Sequence, residues 1–151
     1  MFVLMIQKLI LRWSYRFFKL CGIRMPPFAS ASVIIVDDNK VLTIKLSYAR
    51  GYALPGGLLQ DHETFEDAAR RELKEETGLE VKIGGLVGTY SSYKDFPTIN
   101  QTFVAETVSG KILSSKEGSV EWIEVLDLYN KAAYEDTKAA VKDFFRLDKT
   151  V

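Results

Sequence analysis

The chain has 151 residues, of which 47% are apolar, which suits one domain with a buried core. Its net charge is zero, but the first 24 residues hold five basic residues and no acidic one, so the other 127 carry a net charge of −5. An acidic surface argues against non-specific nucleic-acid binding, which needs basic patches. The single cysteine, Cys21, excludes an internal disulfide and fits a reducing cytoplasm.

Residues 1–20 predict an apolar helix with a narrow basic stripe formed by Lys8, Arg12, Arg16 and Lys19. The longest charge-free run is seven residues, well short of the roughly 20 that span a bilayer. A secretory signal is disfavoured because no small-residue cleavage site follows. Two interpretations stay open: a helix at an anionic membrane surface, or packing against the chain's own domain or a second subunit, as in a homodimer. We favour packing.

Gly22 and the Pro26-Pro27 pair end that helix, so we divide the chain into residues 1–24 and a domain of residues 25–151. Two apolar runs, residues 32–36 and 41–46, predict the strands of a hairpin with a turn between them.

The segment that follows carries the first candidate binding residues. Arg50 lies in a predicted loop, where it is a weak candidate for a phosphate contact and more simply a solvated arginine. Leu54-Pro55-Gly56-Gly57 predicts a strand that ends in a tight turn. Adjacent glycines let backbone groups come close to an ion or a phosphate.

Residues 64–77 predict a helix. Thr64 with Asp67 resembles a capping box, and Gly78 supplies a C-terminal stop. A projection at about 100° per residue places the apolar side chains on one face. That face contains Phe65, Ala68, Ala69 and Leu73.

Glu72, Glu75 and Glu76 fall on the apolar side of the same projection. They crowd negative charge at the end of the helix, where its dipole is already negative. Mg²⁺ or Mn²⁺, hard cations that take oxygen ligands, would turn this repulsion into coordination. The alternative is a solvated acidic surface answered by Arg70, Arg71 and Lys74, but solvated acids belong on the face away from the core.

The spacing of these residues resembles a known signature. Gly57, then Glu63 after five residues, then Arg71-Glu72-Leu73-Lys74-Glu75-Glu76-Thr77-Gly78-Leu79 after seven more, matches every fixed position of the Nudix (MutT-like) hydrolases. This signature covers 23 residues. The resemblance implies an α/β/α sandwich with a mixed sheet. It also implies a magnesium-dependent pyrophosphohydrolase, with Mn²⁺ as a substitute, that cleaves a nucleoside diphosphate linked to another group.

The resemblance also implies roles for single residues. Glu72, Glu75 and Glu76 would be metal ligands together with the Gly56 carbonyl, and Glu72 is the first candidate for the general base. Glu63 would act through hydrogen bonds or a water, and Arg71 would orient the carboxylates. His62, the only histidine, stands where many relatives have glycine; a solvated residue is the simpler interpretation.

The rest of the chain predicts further strands and a last helix. The strands are residues 81–90 with a bulge at Gly84-Gly85, 98–106 before a turn at 109–110, and an alternating run over 120–125. Residues 136–147 predict a helix that buries Ala140, Phe144 and Leu147.

Two acids near the last strand are further candidates. Glu117 precedes it, where some Nudix relatives carry another metal ligand or base; Glu121 is a weaker candidate, and both have a solvated alternative. The segment 89–97 loosely resembles relatives that act on ADP-ribose or nucleotide sugars. Tyr90, Tyr93 or Phe96 could stack a nucleobase, although packing is the commoner role of aromatic side chains.

Two other classes of function stay open. The domain could bind nucleotides as a regulatory sensor without turnover, against which the complete set of carboxylates argues. Alternatively, the N-terminal helix could make membrane association or assembly the main role. The sequence therefore predicts a cytoplasmic enzyme, peripheral at a membrane if that helix binds lipid, with a small nucleotide as its partner.

Overall fold

The computed structural model describes residues 2–47, 49–93, 96–113 and 118–146, with side chains from residue 10 onward. The helices and strands, in chain order, are α1 Phe2–Leu20, β1 Phe28–Ile34, β2 Val36–Asp37, β3 Lys40–Leu46, β4 Tyr52–Ala53, β5 Gly56–Leu58, α2 Phe65–Thr77, β6 Leu79–Ser92, β7 Thr98–Gly110, β8 Gly118–Glu124, α3 Val125–Lys131 and α4 Glu135–Phe145. The predicted N-terminal helix is confirmed as α1. Among the described helices, none has the length and apolarity that crossing a membrane requires.

The strands form two sheets. The first has the order β5-β1-β7-β6 and is mixed, because β1 and β7 are parallel while the other pairs are antiparallel. In the second, β3 pairs with β2, β4 and β8. The bulge predicted at Gly84-Gly85 is confirmed, since the register between β6 and β7 shifts between Ile83 and Leu86.

Helices cover both faces of the first sheet. Successive side chains of a strand point to opposite faces. On β1, Val33 packs in a cluster with Leu73 of α2, whereas Ile34 packs in a second cluster with Leu128 of α3 and Val141 of α4. The predicted α/β/α sandwich is therefore confirmed.

The predicted hairpin near residue 38 is correct only at its tip. β2 and β3 pair at Val36–Val41 and Asp37–Lys40, but β1 ends at Ile34 and belongs to the other sheet. The chain thus passes from one sheet to the other at Ile35. The apolar run over 32–36 gave no sign of this break, because both parts are apolar.

Three further boundaries differ from the predictions. Gly56 and Gly57 lie in strand β5, paired with β1, and not in a turn. Residues 109–110 end β7 and pair with β6. The strand predicted over 120–125 ends at Glu124, because the helix α3, which was not predicted, begins at Val125. α4 buries Ala140 as predicted and leaves Phe144 partly buried, while Leu147 lies outside the described residues.

Candidate active site

The helix α2 carries most of the candidate residues, and its local sequence fixes both ends. The Thr64 hydroxyl accepts a hydrogen bond from the Asp67 backbone N–H at 3.2 Å, and the Asp67 carboxylate accepts one from the Thr64 N–H at 3.3 Å. This is the predicted capping box. At the other end Gly78 adopts a left-handed conformation with φ of 75° and donates to the Lys74 carbonyl.

The apolar face of α2 determines where its carboxylates point. Ala68, Ala69 and Leu73 are fully buried against the first sheet. Glu76 follows Leu73 on the next turn and is only 7% exposed. A charged side chain is rarely buried to this extent without a partner. Its position next to the core therefore indicates a specific role for this carboxylate.

The backbone of β5 binds the Glu76 carboxylate. Glu76 Oε2 accepts a hydrogen bond of 2.9 Å from the Gly56 N–H. Glu72, one turn earlier, lies against the next residue, because a β-carbon added to Gly57 would stand 2.5 Å from the Glu72 carboxyl carbon. No other residue type fits at Gly57 unless Glu72 moves. The two carboxylates thus lie side by side against the glycine pair.

Arg71 joins these acids to the loop before the helix. Its Nε and Nη2 donate to the two oxygens of Glu63 at 2.6 and 2.9 Å, and its Nη1 donates to Glu72 Oε1 at 2.7 Å. The Arg71 guanidinium lowers the pKa of Glu63 to about 2, a shift that burial opposes. Hydrogen bonds to Glu63 and Glu72 raise the pKa of Arg71 above its ordinary value. These contacts suit the predicted orienting role of Arg71, which stays a prediction.

Backbone groups complete the cluster and were not predicted. The Leu58 carbonyl accepts a hydrogen bond from Arg71 Nη2 at 3.0 Å, and the Gln60 N–H donates to Glu63 Oε2 at 2.9 Å. Such groups exist at every residue, so the side-chain pattern gives no sign of them.

Glu75 departs from the prediction that all three acids turn inward. Its side chain is 60% exposed, and its Oε1 lies 3.8 Å from Arg71 Nη1. The helical projection was wrong here because Glu75 and Glu76 flank Glu72 on opposite sides, and only the Glu76 side meets β5. Among the described residues, no three His, Cys, Asp or Glu side chains are arranged to hold a metal ion.

The donor set nevertheless fits a divalent cation. The carboxylates of Glu72 and Glu76 lie against Gly57 and Gly56, which have no side chains. The carboxylate oxygens are therefore the side-chain atoms that would bind a metal here. Mg²⁺ is typically bound by one or two protein carboxylates, with water and substrate phosphates as the other ligands. The proposed ligand roles of Gly56, Glu72, Glu75 and Glu76 stay predictions.

The candidates near the last strand differ in position. Glu117 lies outside the described residues. Glu121 lies in β8 of the second sheet, where Ser119 Oγ and Tyr52 Oη donate to its carboxylate at 2.6 and 3.2 Å and Lys45 Nζ lies 3.7 Å away. The hydrogen bond from Ser119 is the largest factor that lowers the pKa of Glu121. These contacts give Glu121 a structural role within the second sheet.

The aromatic candidates have different surroundings. Tyr90 packs with the α3–α4 cluster and its hydroxyl donates to Asp143 at 3.1 Å, which supports a packing role. Burial raises the pKa of Tyr90 to about 12. Phe96 packs edge-to-face on Phe28. Tyr93 is exposed and stays a candidate for substrate contact.

Arg50 and His62 are both exposed. Arg50 lines an open cavity of about 370 Å³ together with Tyr52 and Lys131. His62 has φ of 65°, a left-handed conformation that glycine adopts most easily. This explains in physical terms why glycine would suit the position.

The residues of this site lie within a known domain family. The model of the NUDIX domain matches residues 26–144. The chain belongs to the Nudix family. As a Nudix hydrolase it acts on diphosphate bonds.

Among its relatives, the ADP-ribose pyrophosphatase of Methanocaldococcus jannaschii is 36% identical over 128 residues, which cover 80% of this chain and 74% of that protein. An uncharacterized Nudix hydrolase of Bacillus subtilis is 32% identical over 104 residues, 64% of this chain and 66% of that protein.

Solved structures of Nudix proteins share the fold. A NUDIX hydrolase from Nitrosomonas europaea superimposes with a TM-score of 0.70 at 23% identity, covering 82% of this chain and 72% of that one. The MutT protein from Methanosarcina mazei gives a TM-score of 0.69 at 20% identity and covers 84% and 99%.

Proposed function

We propose that this Nudix hydrolase cleaves the diphosphate linkage of ADP-ribose, or of a closely similar nucleotide sugar, in a reaction that depends on Mg²⁺. The arrangement of Glu72 and Glu76 against Gly56-Gly57 carries the proposal, because it brings carboxylate oxygens, the atoms that bind Mg²⁺, next to a backbone without side chains. The substrate class is supported by the relative at 36% identity, which is an ADP-ribose pyrophosphatase. Nudix hydrolases generally need a divalent metal. We also propose a cytoplasmic location, which the single cysteine of the chain supports.

Glu72, Glu75 and Glu76, with the Gly56 carbonyl, would hold the cation. When bound, a divalent cation neutralises phosphate oxygens and lowers the pKa of a coordinated water. Glu76 is held in place by the Gly56 N–H, so this carboxylate is oriented before substrate binds. Glu75 starts from an exposed position on the same turn and would complete the set by a change of side-chain rotamer.

We also propose Glu72 as the general base. Hydrolysis of a diphosphate adds water across one P–O bond, so ADP-ribose would give AMP and ribose 5-phosphate. The attacking water must lose a proton, and the Glu72 carboxylate would take it. Arg71 fixes the orientation of Glu72 through the 2.7 Å hydrogen bond. Glu63 in turn fixes Arg71.

A substrate panel tests the proposal. ADP-ribose, several nucleotide sugars, nucleoside triphosphates and NADH would be incubated with the protein and Mg²⁺ or Mn²⁺, and the products identified by mass. We expect ADP-ribose or a nucleotide sugar to be cleaved fastest, and EDTA to stop the reaction. A preference for triphosphates would overturn the substrate assignment, and full activity in EDTA would overturn the metal dependence. Binding without any product would favour the regulatory alternative.

Paired variants test the base. Glu72→Gln keeps the size of the side chain but removes the base, so we expect turnover to fall by about two to four orders of magnitude. Glu66→Gln is the matched control, since Glu66 is exposed on the first turn of the same helix. A Glu72→Gln variant with a wild-type circular dichroism spectrum and a near-normal rate would remove Glu72 from the chemistry.

A further inference from the structure

The helix α1 exposes a continuous apolar stripe. Trp13 and Phe17 are each 63% exposed, and Leu20 is 88% exposed. Together with Ile10, which is 57% exposed, they follow one another at intervals of three and four residues, so they share one face of the helix. Single exposed apolar residues are normal, but a contiguous patch marks an interaction surface. The sequence analysis favoured packing of this helix on the chain's own domain or on a second subunit. In the structure the apolar stripe is exposed and does not pack on the chain's own domain.

A basic stripe runs beside the apolar one. Arg12, Arg16 and Lys19 are exposed and also share a face. At about 100° per residue, the centres of the two stripes lie roughly 110° apart around the helix. The remaining side, which contains Leu11, Ser14, Tyr15 and Phe18, is partly buried. The two exposed stripes therefore form one surface, apolar along one edge and positive along the other.

We propose that α1 lies on the surface of an anionic phospholipid bilayer. An interfacial helix buries its apolar face at the boundary between headgroups and acyl chains and keeps its basic residues among the headgroups. Trp13 suits this depth because its ring is apolar and its N–H can reach water or a headgroup. Arg16 and Lys19 would meet the phosphates. The helix lies on the bilayer and does not cross it, in line with the absence of a spanning helix among the described residues.

Charge favours lipid over a second copy of the chain as the occupant. The helix α1 contains no acidic residue, so two α1 helices that paired through their apolar stripes would carry two basic stripes and no carboxylate to balance them. Anionic headgroups supply that counter-charge, worth about 1 kcal/mol for each Lys or Arg near the surface. The rest of the chain, with its net charge of −5, would be repelled by the same headgroups. The helix is thus the part that makes contact.

Tryptophan fluorescence of the full chain tests the proposal. The chain has two tryptophans, so Trp122→Phe leaves Trp13 as the sole reporter. Vesicles of phosphatidylcholine alone would be compared with vesicles that contain phosphatidylglycerol at one part in four. We expect a blue shift of the emission and co-sedimentation with the anionic vesicles only, and both should weaken at high salt. An unchanged spectrum and no co-sedimentation would overturn the proposal.

Two sets of variants separate the contributions of charge and apolar surface. Arg16→Gln with Lys19→Gln removes two charges, which should weaken binding about 30-fold. Lys40→Gln with Lys111→Gln removes the same charge from exposed positions elsewhere and should have little effect. Phe17→Ser with Leu20→Ser should weaken binding at least about tenfold. If the Lys40→Gln/Lys111→Gln pair weakened vesicle binding as much as the Arg16→Gln/Lys19→Gln pair, binding would not be a property of α1.

Light scattering of the lipid-free chain tests whether a second copy of the chain, and not lipid, covers the apolar stripe. If a second copy covers the apolar stripe, the chain is a dimer that Phe17→Ser with Leu20→Ser dissociates, and Trp13 emission is already blue-shifted without vesicles. That result would overturn the lipid assignment. Diphosphate hydrolysis, measured in parallel, should be unchanged by all these variants, so a failure of this proposal is distinct from a failure of the proposed function.

Discussion

Arg71 and Glu63 face each other through two parallel hydrogen bonds, of 2.6 Å from Nε and 2.9 Å from Nη2. Glu63 lies in the loop that leads into α2, and Arg71 lies in the second turn of the helix. The pair therefore fixes the loop to the helix, and the hydrogen bond from Arg71 Nη1 extends this constraint to Glu72. A planar guanidinium can do this because its donors have a fixed fork geometry that matches a carboxylate.

Arg71→Lys should disrupt this arrangement although the charge is kept. A lysine ammonium cannot make the parallel pair and reach Glu72 at once. We expect the free energy of unfolding to fall by about 1–3 kcal/mol and turnover to fall by about tenfold or more. Urea denaturation and steady-state kinetics measure the two effects.

The neighbouring arginine is the matched control for that change. Arg70 is exposed and makes a single 3.1 Å contact with Asp67, so Arg70→Lys should change stability by less than about 0.5 kcal/mol. A double-mutant cycle of Arg71→Lys with Glu63→Gln should show strong coupling. Additive effects would mean that the two side chains act independently.

The pKa of Glu63 predicts how stability depends on pH. In the folded chain this pKa is lowered to about 2 from the ordinary value of 4.5, chiefly by the hydrogen bond from Arg71. The stabilisation is therefore complete above pH 4.5 and is lost as the pH falls from 4.5 towards 2. Glu63→Gln should flatten this part of the profile. Urea denaturation at several pH values, in EDTA, checks this prediction, and parallel profiles for the two proteins would contradict it.

Gly57→Ala tests the close approach of Glu72 to β5. The new methyl group would stand 2.5 Å from the Glu72 carboxyl carbon, so the carboxylate must move. A displacement of about 1 Å in a catalytic group can cost on the order of a hundredfold in rate, which is the loss of turnover we expect. Gly85→Ala is the control, because a β-carbon there meets nothing within 4 Å. Equal rates for the two variants would show that Glu72 does not need this position.

The sequence predicted α2 well because the signals of that helix are local. Thr64 and Asp67 are three residues apart, and Gly78 directly follows the last turn. The apolar spacing of Ala68, Ala69 and Leu73 then predicts the buried face. Each of these features depends on neighbours within one or two helical turns, so a short stretch of sequence is enough to predict them.

The remaining features depend on contacts between distant segments. Gly56 lies in a strand because it pairs with Ser32, 24 residues earlier, and its own sequence favours a turn. The exposure of Glu75 follows from which side of α2 meets that strand. The break at Ile35 likewise exists because β1 pairs with β7, whose residues follow more than 60 positions later. Nothing within a short window of sequence contains this information.

His62 gives a prediction about stability alone. Its φ of 65° costs an ordinary L-residue about 1–2 kcal/mol, a cost that glycine does not have. Glycine also makes the unfolded chain more flexible, which offsets about 0.4–1 kcal/mol of the gain. We therefore expect His62→Gly to leave the free energy of unfolding unchanged or slightly higher, and His62→Val to lower it by about 1–2 kcal/mol, because a β-branched side chain tolerates this conformation least. Urea denaturation of the two variants measures the difference. A lower stability for His62→Gly than for His62→Val would show that the left-handed backbone conformation does not determine the effect of a substitution at this position.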